Sequence, residues 1–153
     1  MRLALLEPDQ PGNVGAAMRL SACLAVPLDV IRPAGFPLSE PSLRRAAMDY
    51  AELADVTVHD GWDAFVGALR GRLVLLTARG ATALPAFRWR GDDVLLMGSE
   101  SRGAPDMAHR AATQRVRIPV QPGARSLNLA VAAGIALGAA LGQLGAWPGF
   151  GPA

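Results

Sequence analysis

The sequence predicts an α/β fold, a mostly parallel sheet flanked by helices, and three observations carry that reading. Short apolar runs alternate with helical segments along the whole chain. The runs Leu73 to Thr77 and Val94 to Met97 are apolar without alternation, as strands buried on both faces are. Glycine, asparagine and charged residues cluster in the segments that follow the apolar runs.

In chain order, a first strand is expected at Arg2 to Leu6 and a helix from about Val14 to Leu24, with Asn13 as its N-cap. A second strand at Leu28 to Ile31 leads into a proline-rich loop, Arg32 to Pro41, and a short helix over Ser42 to Met48. Val56 to His59 reads as a strand and Trp62 to Leu69 as a helix stopped at Gly71. After the central run at Leu73 and the strand at Val94, a helix is expected at Pro105 to Ala112. A shorter strand follows at Val116 to Val120, and a last helix at Leu127 to Leu144, for which Ser126 is a candidate cap.

Composition bounds the partners. The chain has 153 residues, 51% hydrophobic and 18% charged, which fits one globular domain over 1–153. Formal charge is +2, and all 15 cationic side chains are arginine. Genome composition alone can produce that bias, but the arginine fork also suits phosphate, so an acidic polymer is permitted as partner. The single cysteine, Cys23, is expected to be a small core residue of a protein in a reducing cytoplasm. His59 and His109 belong to no metal-binding spacing, so no metal is assigned. The apolar opening Leu3 to Leu6 ends at Glu7, too short for a signal peptide core, and Leu127 to Ala146 carries Asn128 and Gln143, so no membrane span is expected.

Ligands of open parallel sheets bind beyond the carboxyl ends of the strands, which directs attention to the loops leaving them. The first reads EPDQPGNVGAAMRL, with Asn13 and, six residues on, Arg19. A cap and a surface charge would account for both. The second, after the Val94 run, is GSESRG, for which a turn closed by a Glu100 and Arg102 ion pair is the plain alternative. The third is PVQPGARSLNLA. None fits the glycine spacing of a dinucleotide or P-loop site.

Taken together and in order, the N-x-G-x-x-x-R block at Asn13, Gly15 and Arg19, the G-x-E-x-R-G block at Gly98 to Gly103 and the S-L-N block at Ser126 to Asn128 resemble the three motifs of the SPOUT, or α/β-knot, class of methyltransferases. The opening EPDQPGN and the segment LRRAAMDY make the chain similar to the single-domain subfamily that methylates the wobble nucleotide of certain leucine tRNAs. Ala51, Ala130, Val131 and Gly138 depart from the subfamily's pattern.

The resemblance implies a C-terminal deep trefoil knot and S-adenosylmethionine as cofactor, contacted by Leu76, Gly98, Ile118, Ser126 and Leu127. It implies transfer of a methyl group to a ribose 2′-hydroxyl with Arg19, Asn13, Glu100 and Asn128 as catalytic residues. Arg19 would stabilise the developing alkoxide or clamp a phosphate in preference to acting as a base, since a guanidinium has a pKa above ~12. Arg44, Arg45, Arg115 and Arg125 would contact tRNA. A homodimer is expected, with the last helix near its interface and the cofactor pocket shared between subunits. Gly134, Gly138 and Gly142 line one face of that helix, and an intramolecular contact is the alternative use of that face. Within the enzyme reading the alternative is 2′-O-methylation of another ribose, in ribosomal RNA or elsewhere in tRNA, and two rivals from other classes remain at this point: a non-catalytic RNA-binding protein of the same fold, and an unrelated nucleotide-binding domain.

Overall fold

The computed structural model describes residues 1–39, 41, 42, 45, 48–50 and 52–150. Seven strands form one sheet: β1 (Arg2–Leu6), β2 (Leu28–Ile31), β3 (Val56–His59), β4 (Leu73–Leu76), β5 (Thr82–Ala83), β6 (Val94–Met97) and β7 (Gln114–Arg117). Their spatial order is β3-β2-β1-β6-β4-β7-β5, and every pairing is parallel. The expected α/β class is therefore observed. β6 and β4 are buried at all four positions, as continuous apolar runs require.

Helices α1 (Pro11–Leu24) and α4 (Leu129–Leu144) cover one face of the sheet. There Val14, Ala17 and Met18 from α1 and Ala133, Ala136, Leu137 and Ala140 from α4 pack against Leu3, Leu5, Leu28, Val30, Val74 and Leu95. Helices α2 (Trp62–Ala68) and α3 (Asp106–Ala111) contribute Phe65 and Ala108 to the opposite face, against Ala4, Leu6, Ile31, Leu75 and Leu96. On that second face Asp29, 4% exposed, accepts two bonds from Arg2, at 2.7 and 3.0 Å, and lies 2.8 Å from His59 Nε2. A carboxylate can stay ionised inside a sheet only with such partners.

Several expectations change. α1 begins at Pro11, because proline at N1 sacrifices no hydrogen bond and presets the helical φ; Gln10 holds the cap position and Asn13 lies in the first turn. α4 is capped by Asn128, not Ser126: its side-chain oxygen accepts from Ala130 N at 2.9 Å and Val131 N at 3.2 Å. The β7 ladder runs over Gln114–Arg117 instead of 116–120; only Val116 of it is buried, so apolarity pointed too far along the chain. The two-residue β5 was not foreseen. α2 ends at Ala68 with Leu69 at its C-cap, before Gly71. Cys23 is exposed on α1 and not a core residue. The expected helix over Ser42 to Met48 falls largely outside the described residues, as does Ala51.

The small-residue face of α4 is used within the chain. A Cβ on Gly134 would meet Leu20 of α1 at 3.8 Å, and one on Gly138 would meet the Trp147 ring at 3.7 Å. Trp147 thus occupies the space beside Gly138. Outward from the sheet α4 instead presents Val131 and Ile135, 51% and 43% exposed, in line with Leu127 at 38%. None of the described helices is long and apolar enough to cross a membrane.

Candidate active site

The loops that leave β1, β4, β6 and β7 at their carboxyl ends meet over the sheet. Between those of β4, β6 and β7 lies a cavity of about 550 Å³, inside the range of small-molecule sites. Leu76, Met97, Ile118, Leu127 and Leu129 supply apolar walls, while Gly98 and Ser126 bring backbone to its surface. All five residues expected to contact a cofactor, Leu76, Gly98, Ile118, Ser126 and Leu127, line this one space although they come from three separate loops.

The GSESRG loop owes its shape to the first loop. Asp9 accepts from the backbone N–H groups of Glu100 at 3.2 Å and Ser101 at 3.1 Å and from the Ser101 hydroxyl. Glu7, in the left-handed region at φ 49°, accepts from Arg102 at 3.2 Å. Within the loop, Gly103 takes φ 71° and donates its N–H to Ser99 O at 2.9 Å, closing the turn. The local Glu100 and Arg102 ion pair therefore does not form: the two side chains are drawn to different partners on the first loop.

The hydroxyl of Ser101, then the two backbone donors, hold the Asp9 carboxyl below the usual aspartate range. A depressed folded-state pKa stabilises the folded form at pH values above the ordinary aspartate value of ~3.9, and that contribution is lost as pH falls through the lower, folded value. Asp9→Asn is accordingly expected to give a shallower fall in stability below about pH 4 than the unaltered chain, with little change in slope at neutral pH, read by urea denaturation across that range.

Asn13, Glu100 and Asn128 are brought together across the chain. Asn13 Nδ2 donates to a Glu100 carboxylate oxygen, and Asn128 Nδ2 donates to Asn13 Oδ1 at 2.9 Å. The direction of this relay follows from the cap. Asn128 must present its oxygen to the two N–H groups of α4, so its nitrogen faces Asn13, whose own nitrogen is thereby turned to Glu100. Glu100 lines the cavity, and the relay fixes it there.

Arg19 stands apart. Its guanidinium lies over the Tyr50 ring, 4.8 Å from the centroid, and among the described residues it makes no hydrogen bond to the other three. Six residues along an α-helix turn a side chain by about 240°, so Asn13 and Arg19 cannot share a face. Within a single chain Arg19 is thus not brought together with Asn13, Glu100 and Asn128.

Of the expected RNA-contacting arginines, Arg125 lines the cavity, Arg115 donates to His109 O at 3.2 Å beside it, and Arg45 lines a second cavity. Arg44 lies outside the described residues. Sequence reasoning missed Asp9, Glu7, Arg79 and His109. Arg79 Nη2 lies 3.2 Å from His109 Nε2, and because a guanidinium only donates, Nε2 accepts. Arg79, Arg102 and Arg125 give the cavity a cationic rim. Arg79 was findable, since it leaves a central strand at the ligand-binding end. Among the described residues no cluster of His, Cys, Asp or Glu could hold a metal ion.

Known proteins are similar to this chain in sequence and fold. Residues 1–138 match the sequence profile of the SpoU rRNA methylase family. A tRNA (cytidine(34)-2′-O)-methyltransferase of Beijerinckia indica is 47% identical over 147 residues, covering 94% of this chain and 92% of that protein. A solved structure described under "Structural insights into the 2-OH methylation of C/U34 on tRNA" superposes with a TM-score of 0.87 at 43% identity, covering 94% of this chain and 95% of that one. An AdoMet-bound rRNA methyltransferase from Sinorhizobium meliloti superposes with a TM-score of 0.82 at 28% identity over 94% of this chain and 56% of its own. With the family profile matched over residues 1–138 and a relative 47% identical over almost the whole of both chains, the chain belongs to the SpoU rRNA methylase family.

Proposed function

We propose that this chain is a cytoplasmic tRNA methyltransferase, a single domain that uses S-adenosylmethionine to methylate the ribose 2′-hydroxyl of the wobble nucleotide, cytidine or a modified uridine, in leucine tRNAs. The observation that carries the reading is the meeting of Leu76, Gly98, Ile118, Ser126 and Leu127 around one cavity whose edge holds Glu100, fixed by Asn13 and Asn128. The names of the relatives, which specify cytidine 34 and C/U34, support the position on tRNA.

The cavity fits the cofactor by its chemistry. Leu76, Ile118 and Leu127 offer apolar contact to an adenine and a thioether-like chain, and backbone at Gly98 and Ser126 offers hydrogen bonds. When bound, S-adenosylmethionine supplies an electrophilic methyl group on sulfur. The protein's part is to place the ribose hydroxyl in line with it, and positioning of this kind provides a large share of the acceleration. Glu100, held by Asn13, orients the ribose. The cationic rim of Arg79, Arg102 and Arg125 attracts RNA phosphates, with Arg45 and Arg115 extending that surface.

Arg19 does not line the cavity of its own chain and lies over Tyr50, which favours its reaching a reacting group held by a second copy. The stripe Leu127, Val131 and Ile135 beside the cavity supports a homodimer through α4, in which Arg19 of one subunit serves the other's site. A monomer in sedimentation at working concentration would contradict this. The insertion of β6 between β1 and β4, followed by β7 outside β4, supports the expected trefoil knot in the C-terminal part.

The direct experiment incubates the protein with labelled S-adenosylmethionine and total RNA and maps the methylated nucleotide. Label at the wobble ribose of leucine tRNA is the expected result; label at another ribose would reassign the target, and cofactor binding without transfer would favour a non-catalytic RNA-binding role. The relay gives a finer check. Asn128→Asp keeps the cap on α4 but replaces the donor facing Asn13 by an anionic oxygen, which turns the Asn13 nitrogen away from Glu100; stability should stay near that of the unaltered chain while turnover falls by tenfold or more, about the value of the charge-assisted bond lost to Glu100. Asn128→Ala should lose about 1 kcal/mol of stability as well, seen as a shift in the urea midpoint.

A further inference from the structure

A second cavity of about 460 Å³ opens beside the start of α1. Pro11 and Gly12 form one wall, and Phe36, Pro37, Ser39, Ser42 and Arg45 form the rest. Asn13, the next residue along α1, is bonded to Glu100 of the first cavity.

We propose that this cavity is a nucleotide subsite: it receives an unpaired base adjacent to the methylated nucleotide, stacked on Phe36, with the neighbouring phosphate on Arg45. The inference rests on the reading that the substrate is RNA, and adds to it a site that none of the three motifs contains. Phe36 and the two prolines offer flat apolar surfaces, the kind on which any base stacks, and Arg45 offers a fork for a phosphate. Base-edge reading is weak here. Ser39 and Ser42 are spent on each other, with Ser39 N bonded to Ser42 Oγ at 2.9 Å and Ser42 N to Ser39 Oγ at 3.3 Å, and Ser42 Oγ donating to Pro37 O at 2.7 Å. The subsite should therefore accept any base and serve to hold the strand.

The platform is also built before the ligand arrives. Gly35 donates its N–H to Pro8 O at 2.9 Å, and a Cβ there would lie 2.9 Å from Asp9 Cα, so only glycine lets this segment approach so closely. Asp9 is the residue that clamps the GSESRG loop. Phe36 is consequently fixed in position relative to Glu100 through two contacts, which lowers the ordering cost of binding a strand across both cavities.

The test uses an anticodon stem-loop carrying 2-aminopurine on the 5′ side, or in a second RNA the 3′ side, of the wobble nucleotide. Binding to the unaltered protein should quench the probe at one of the two positions. Phe36→Leu, which keeps apolar volume without a stacking face, and Phe36→Ala should both abolish that quench, whereas Phe36→Trp should retain it. In methylation assays the first two variants should raise KM for the stem-loop roughly tenfold with kcat little changed. Quenching that persists in Phe36→Leu, or its absence at both positions in an RNA that binds, would overturn the subsite. The quench needs binding and no methyl transfer, so an unaltered protein that binds and quenches without methylating would sink the proposed reaction while upholding the subsite. Failure to bind RNA at all would sink both.

Discussion

Arg19→Ala is expected to lower kcat for methyl transfer by roughly 10²–10³-fold, the usual loss when a group stabilising developing negative charge is removed. Affinity for S-adenosylmethionine should stay close to the unaltered value. The ribose hydroxyl becomes anionic as it attacks, and a guanidinium that remains protonated at any working pH can oppose that charge without giving up a proton. Arg19→Lys, which keeps the charge but not the planar fork, should recover part of the activity. If Arg19 acted as a base, activity would rise with pH as it lost its proton and the lysine variant would shift that ascending limb to lower pH; a stabilising charge must keep its proton, so activity would instead fall at high pH as the lysine is deprotonated. Since Arg19 lies over Tyr50 and outside its own cavity, its role also predicts complementation between subunits. Mixing Arg19→Ala with Glu100→Gln should yield mixed dimers with activity that neither parent shows. Full turnover in Arg19→Ala would remove it from the site.

The sheet was the most legible part of the chain, and its physics explains why. β1, β2 and β6 coincide with the apolar runs read from the sequence because strands enclosed by helices on both faces have little choice but to be apolar; β3, at the sheet edge with no residue buried, was legible from its two β-branched valines instead. β7 was displaced by two residues because Gln114, Arg115 and Arg117 are polar and partly or fully exposed; backbone pairing with β4 and β5, not side-chain burial, places that strand. Motif spacing led to the cavity walls, yet the way the walls are held was hidden. Asp9 and Ser101 are 92 positions apart, and no local rule connects a carboxylate in one loop to a hydroxyl in another. Asn13 illustrates the same limit at short range: a cap residue by preference, it is released from capping by Pro11 and taken up by a tertiary relay. Its chemistry was readable, its partners were not.

Gly98→Ala is expected to weaken cofactor binding by about 100-fold, and the reason is space alone. Gly98 ends β6 where the chain turns back on itself, and an added Cβ would overlap Ala104 N and lie 2.5 Å from Gly103 C and 2.6 Å from Ala104 Cα. All of these are backbone atoms, so no rotamer change can relieve the overlap. The 98–104 loop would have to open, at about 1–3 kcal/mol. Opening breaks the bond between Gly103 N and Ser99 O and pulls the Glu100 and Ser101 amides from Asp9, so Glu100 leaves Asn13. A loss of about 3 kcal/mol on the binding side corresponds to ~100-fold in Kd, read by titration calorimetry with S-adenosylmethionine. Gly103→Ala is the informative control. Its Cβ would meet nothing within 4 Å, and the only cost is a left-handed φ of 71°, about 1 kcal/mol of stability with the cavity wall left in place. Equal loss in the two variants would show that the loop tolerates no change of any kind. Retention of normal affinity in Gly98→Ala would mean that the wall it forms is not where the cofactor lies.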